Sequence, residues 1–222
     1  MAVNSRDLPH VLVSFYAGRA GTLMSPVFGV VVRTGRRVYA CSVAHAVGDR
    51  DDGLAVWNGI HPEVARQYGM TSEARCLAHV ELRNAGSDIV CDEDRDLMAV
   101  PLVGYDGASL DAHEDLIAGD IGLLRPALIA FPEYEPDDQD VLRRSANGIA
   151  GLVSWEDARR CALSAQGSVG MSGSAAMIAT EGGLQCVGLY TGTRRTNDLT
   201  PKAVESLAQV TKMAAFVRDL EG

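Results

Sequence analysis

The feature that most constrains this chain is its punctuation. From His10 onward, short runs rich in Val, Leu, Ile, Tyr and Ala are cut again and again by Gly and other turn residues. Runs of that length and composition, separated by breaks such as Thr34-Gly35, are strand and hairpin signals. HVLVSFY, PVFGVVVR and RRVYACSV predict a β-meander ending near His45, and GLAVWN, EARCLAHVELR and DLMAVPLV continue it to Val103. Residues 104–120, rich in Gly and Asp and without a period, predict a connecting loop. A second series follows in GLLRPALIAF, GIAGLVSW, ARRCALSA, GSAAMIAT and GLQCVGLYTG, with the acidic PEYEPDDQD predicted as a solvated excursion. Near the end, Thr200-Pro201 reads as an N-cap followed by an N1 proline. The apolar spacing of Ala203, Leu207, Val210, Ala214 and Val217 then predicts an amphipathic C-terminal helix over 199–222. The expectation is an all-β chain in two units, 1–103 and 121–198, joined by a linker at 104–120 and closed by a helix.

A chain of 222 residues is long enough to bury one large core or two small ones. Its 47% hydrophobic and 22% charged residues are those of an ordinary globular protein. No apolar window is long enough to cross a bilayer, and MAVNSRDLPH lacks the apolar stretch of a signal peptide, so a soluble, cytoplasmic chain without membrane association is expected. Five cysteines, without CxxC spacing, argue against a disulfide framework and a zinc site and predict reduced, mostly buried thiols. A net charge of −9 disfavours a nucleic-acid surface. The pairs Arg36-Arg37, Arg143-Arg144, Arg159-Arg160 and Arg194-Arg195 read as solvated strand ends or loops.

Three segments carry candidate chemistry. Ser42-Val43-Ala44-His45 places a histidine just beyond a strand, where an imidazole can act as a general base. Alone, such a histidine is better explained as a satisfied rim residue. Gly170-Met171-Ser172-Gly173-Ser174 flanks a serine with glycines, which allows a tight turn whose N–H groups, from Gly170 and Ser172, can converge on an oxyanion. A Gly/Ser-rich hairpin would look the same. Asp96-Leu97-Met98-Ala99-Val100 opens an apolar strand with an aspartate, and a buried carboxylate there can hold the second nitrogen of the imidazole. Asp88, in Ser-Asp-Ile-Val, competes for that role, although the longer apolar strand behind Asp96 anchors it better.

Taken together, the order His45, Asp96, Ser172, each at a strand end, resembles the trypsin/chymotrypsin-like serine peptidases over most of the chain. The resemblance implies a two-barrel chymotrypsin-like fold with the active site between the barrels. It also implies a His45-Asp96-Ser172 triad, an oxyanion hole from Gly170 and Ser172, and hydrolysis of protein or peptide substrates through an acyl-enzyme, with no cofactor or metal. Val187-Gly188-Leu189-Tyr190-Thr191-Gly192-Thr193 is similar to the family strand that lines the P1 pocket and pairs with substrate. The substrate-binding residues implied are Gln166, Gly167, Tyr190, Thr191, Gly192 and Thr193, with Gln166 at the pocket floor. The pattern looks closest to the chymotrypsin-like serine proteases of RNA viruses, of the arterivirus main protease type, with compact bacterial trypsin-like proteases as the other possibility.

There are departures. Met171 stands where zymogen-forming members carry an aspartate, Ala46 where they carry a cysteine, and Tyr190 where many viral members carry a histidine. A protease-fold module that binds peptides without cleaving them is the alternative reading. An α/β-hydrolase is disfavoured, because Ser174 occupies the last glycine position of its G-x-S-x-G elbow and because the triad order is reversed.

Overall fold

A computed structural model describes residues 6–18, 26–48, 52–82, 89–168, 170–195 and 206–221, with the side chains of 193–195 and 206 excepted. Its strands are β1 (Leu12–Gly18), β2 (Val27–Thr34), β3 (Arg37–Ser42), β4 (Gly53–Trp57), β5 (Thr71–Ser72), β6 (Cys76–Glu81), β7 (Val90–Asp92), β8 (Leu97–Pro101), β9 (Leu110–Asp111), β10 (Pro126–Pro136), β11 (Val141–Glu156), β12 (Arg160–Leu163), β13 (Ala175–Thr180), β14 (Gly183–Arg195) and β15 (Ser206–Lys212). Among the described residues three short α-helices accompany them: α1 (Leu8–Val11), α2 (Pro62–Gln67) and α3 (Ala214–Asp219). One sheet runs β6-β4-β1-β2-β3-β8-β7, with β9 paired to β2, and the other runs β10-β13-β14-β15-β12-β11-β5. The chain is thus mostly β, with two barrel-like sheets and a short C-terminal helix.

Why the strands read as nearly unbroken apolar runs is clear from where their two faces go. In β2, Val30 and Val32 join the core shared by the two sheets, while Val31 joins the core inside the first sheet. Tyr39 and Cys41 of β3 alternate in the same way with Val38 and Ala40, and Leu97 and Ala99 of β8 with Met98 and Val100. Period-2 alternation between two buried surfaces leaves no polar face to interrupt the run. Across the gap, Ala130, Met177, Cys186 and Leu189 of the second sheet enter the shared core, whereas Ile129, Ile178, Val187 and Tyr190 fill a core of their own.

The secondary structure departs from the sequence reading at three places. Leu207 to Lys212 form β15, not helix: Ala208, Val210 and Lys212 are buried there, and the strand pairs with both β14 and β12. The apolar spacing fits either structure, and two unpartnered strand edges offer backbone hydrogen bonds that a helix would forgo. The helix begins only at Ala214, while Thr200-Pro201 lie outside the described residues. Segment 104–120 is more than a loop, since β9 lies parallel to β2 and Leu116 bridges to Cys186. Finally, PEYEP is the end of β10, paired residue for residue with β11, and its Tyr134 hydroxyl lies 3.0 Å from Ser14 Oγ in β1. The cysteines are free, with Cys41, Cys161 and Cys186 buried and Cys76 and Cys91 exposed. Among the described residues no helix is long and apolar enough to cross a membrane.

A six-residue helix such as α3 has no stability of its own and is held by what it buries. Phe216 and Val217 do so, both lying in the shared core. Phe216→Ala should therefore destabilise the whole protein by about 3–5 kcal/mol, lowering the thermal midpoint by roughly 10 °C. A shift of less than about 2 °C in calorimetry would show that α3 merely rests on the surface.

Candidate active site

His45, Asp96 and Ser172 come from three separate strand ends and meet in space. β3 stops at Ser42, and the next residues form a single turn of 3-10 helix, Ala44–Ala46, that lifts His45 out of the sheet. The β7–β8 connection brings Asp96 beneath it. Asp96 has φ 55, a left-handed backbone that aspartate tolerates better than most residues. From there it grips the histidine segment three times. Its carbonyl accepts from the Ala44 N–H at 3.1 Å, Oδ1 accepts from the His45 N–H at 2.9 Å, and Oδ2 lies 2.7 Å from His45 Nδ1. On the far side of the ring, Nε2 is 3.1 Å from Ser172 Oγ.

These contacts set the tautomer. A carboxylate oxygen only accepts, so Nδ1 carries the proton towards Asp96, and Nε2 is left as the acceptor for the Ser172 hydroxyl. The hydrogen bond to Asp96 raises the His45 pKa above its ordinary value, against the opposing effect of partial burial. The carboxylate is less enclosed than the sequence suggests, with the Asp96 side chain 29% exposed and that of His45 46%. Asp88 lies outside the described residues.

The serine turn is built from the backbone. Met171 N–H donates to the Ser168 carbonyl at 3.2 Å and Ser174 N–H to the Met171 carbonyl at 3.0 Å. Gly173 N–H and the Ser174 carbonyl both bond Tyr190 of β14, each at 2.8 Å, and the Ser172 carbonyl accepts from Phe28 N–H of β2 at 2.9 Å. Among the described residues, the N–H groups of Gly170 and Ser172 donate to no backbone carbonyl. Gly170 has φ +90 and Gly173 φ +81. A Cβ on Gly173 would also overlap the Phe28 carbonyl, so glycine is required there twice over.

Two contributors have no sequence signature. Phe28 acts through its main chain, and Ser42 is buried with its hydroxyl donating to the Phe28 carbonyl at 2.5 Å. Only the position of Ser42 at the start of Ser-Val-Ala-His hints at a role. Of the residues expected to bind substrate, Gln166 is exposed, Tyr190 is buried, and Gly167 lies so close to Tyr190 that an added Cβ would overlap the phenol hydroxyl. Thr191 and Gly192 continue β14 beside them, and the Thr193 side chain lies outside the described residues. Met171, in place of an aspartate, is buried, and its sulfur accepts from the Ser168 N–H at 3.4 Å. Among the described residues, no group of three His, Cys, Asp or Glu side chains is placed to hold a metal ion.

No family model and no curated protein matches the sequence. Solved structures do match. The chain is similar to a catalytically inactive tobacco etch virus protease complexed with substrate, at 9% identity and a TM-score of 0.58, over 97% of this chain and 86% of that one. It is also similar to the serine endoprotease from Yersinia pestis, at 12% identity and a TM-score of 0.59, over 100% of this chain and 66% of that one. At such identities the likeness speaks for the architecture, and the chain therefore has the chymotrypsin-like protease fold.

Proposed function

We propose that this protein is a serine endopeptidase, with residues 1–103 supplying His45 and Asp96, and residues 121–198 supplying Ser172. The observation that carries the reading is the continuous line from Asp96 Oδ2 through both ring nitrogens of His45 to Ser172 Oγ, at 2.7 and 3.1 Å. In the reaction His45 Nε2 takes the Ser172 proton as Oγ attacks the scissile carbonyl carbon. The N–H groups of Gly170 and Ser172 hold the oxyanion, and the imidazolium then returns its proton to the leaving amine. Water, activated by the same imidazole, releases the acyl group. Asp96 keeps Nδ1 protonated throughout and stabilises the cation. The tobacco etch virus protease that shares the fold was solved with substrate, which favours a peptide partner here.

Reaction with a fluorophosphonate probe tests the nucleophile directly. The parent should label at Ser172 and Ser172→Ala should not, with peptidase activity falling by about 10⁵–10⁶ in kcat. A folded parent that neither labels nor cleaves would instead favour a module that only binds peptides.

The raised His45 pKa carries a sign. The base works only when neutral, so kcat/KM should rise with pH through a midpoint above 6.5, the ordinary histidine value. Stability gained from the charged ring runs the other way, being present below the unfolded pKa and lost as pH rises through the folded one. Asp96→Asn should lower the rate by about 10⁴ and, followed by NMR in a Ser172→Ala background, should bring the His45 midpoint down. An unchanged midpoint would show that Asp96 is not the partner that matters.

P1 preference follows from the pocket side chains. Gln166, Tyr190 and Thr191 are neutral, and Tyr190 closes onto Gly167. A P1 arginine or lysine would find no counter-charge among them to offset whatever hydration it gives up. A peptide-library profile should show small, uncharged polar or acidic P1 residues, and one dominated by Arg or Lys would refute this pocket.

A further inference from the structure

The pair Arg143-Arg144 does not behave as one solvated unit. Arg143 is exposed and pairs with Glu73 and Asp137, each at 2.8 Å. Arg144 turns inward from β11 towards the first sheet, where Nη1 donates to the Asn58 carbonyl at 2.5 Å and Nη2 to the Leu12 carbonyl. Its Nε is closed off from solvent and has no hydrogen-bond partner. Among the described residues no carboxylate pairs with it. The nearby acidic hydrogens belong to Tyr105 and Tyr134, phenols that burial pushes up and so keeps neutral. Burial acts against the Arg144 cation as well. Arginine does not release its proton in proteins, so the fold holds a partly desolvated positive charge whose hydrogen-bond partners among the described residues are neutral carbonyls.

Arg144 lines a half-open cavity of about 230 Å³, together with Asn58, Ser72, Tyr134, Leu142 and Arg143. At roughly 30 Å³ per molecule it has room for about seven waters, or for a ligand of similarly few heavy atoms. Among the described residues the one carboxylate on its wall is Glu73, which shares Arg143 with Asp137.

We propose that this cavity binds a small oxyanion-bearing ligand, a dicarboxylate or a phosphate, whose anionic group pairs with Arg144. Of the five N–H donors of the Arg144 guanidinium, two are fixed by carbonyls that orient the fork without cancelling its charge and the Nε–H is shut off, which leaves the second N–H of each Nη for a ligand. The Tyr134 hydroxyl, held by Ser14, offers a further polar contact, and Leu142 an apolar wall for the carbon skeleton. The site draws on neither His45 nor Ser172. It lies between β11 of the second sheet and the segment at Asn58 that follows β4 of the first, so an occupant would fasten the two sheets together.

Isothermal titration of the full chain with inorganic phosphate and, separately, with succinate tests this. At least one anion should bind saturably, at one site, with Kd of about 1 mM or tighter. At ten times that Kd it should raise the thermal midpoint by about 3 °C. Arg144→Met should abolish the binding. Leu142→Trp, which fills the cavity and alters no charge, should abolish it too, and this variant decides the matter if Arg144→Met does not fold. Ser172→Ala should bind as the parent does, which keeps the outcome independent of peptidase activity. Absence of saturable heat with both anions up to about 10 mM, or binding that survives Leu142→Trp, would overturn the site.

Discussion

The 3.1 Å approach of His45 Nε2 to Ser172 Oγ joins side chains carried by different sheets, so it exists only while the sheets keep their mutual position. Side-chain packing in the shared core sets that position coarsely. What refines it is a backbone contact between β2 and the serine turn. Phe28 offers its N–H to the Ser172 carbonyl and its carbonyl to the Ser42 hydroxyl, and Gly173 has no Cβ, which lets the two chains come this close. Ser42 stands three residues before His45. A single main-chain residue of β2 is therefore tied to the strand that delivers the histidine and to the turn that delivers the serine.

Asp96 plays the corresponding part within the first sheet. A left-handed backbone at a non-glycine residue costs on the order of 1 kcal/mol, and three hydrogen bonds to Ala44 and His45 offset it. Two of those bonds go to the main chain, so the carboxylate and its carbonyl fix the path of the segment as well as the orientation of the ring. An asparagine could keep the carbonyl bond and the bond through Oδ1, but at the ring it would present an N–H to Nδ1 or lose the contact. That is why the side-chain chemistry and the local fold can be separated at this position.

Much of this was legible in the residues, for reasons the structure makes specific. Segments such as PVFGVVVR and DLMAVPLV announce strands because both their faces are buried, which yields long apolar runs between turns. His45, Asp96 and Ser172 are visible because side-chain chemistry has a residue signature. Leu207–Lys212 was not, because its spacing satisfies a helix as well as a strand, and the choice is made by the vacant edges of β12 and β14. The burial of Arg144 was equally hidden: nothing in Arg-Arg distinguishes the side chain that meets water from its neighbour, which the β11 pleat turns towards β1. Phe28 could not be found at all, since its contribution is a peptide group that every residue but proline possesses.

The same distinction explains how a chain can match solved structures over nearly its whole length while matching no family model. Core positions in these sheets demand only an apolar side chain of suitable volume facing the correct core, and many sequences meet that condition. The turn around Ser172 is held by main-chain bonds from Met171, Gly173, Ser174, Phe28 and Tyr190, which survive substitution wherever a Cβ is tolerated. Residue identity is demanded at few positions, chiefly the glycine at 173 and the groups that meet around the His45 ring. So thin a set is diluted below recognition in a whole-sequence comparison, yet it is enough to return the chain to the same architecture, because the constraints that select the fold act through the backbone and through apolar pattern.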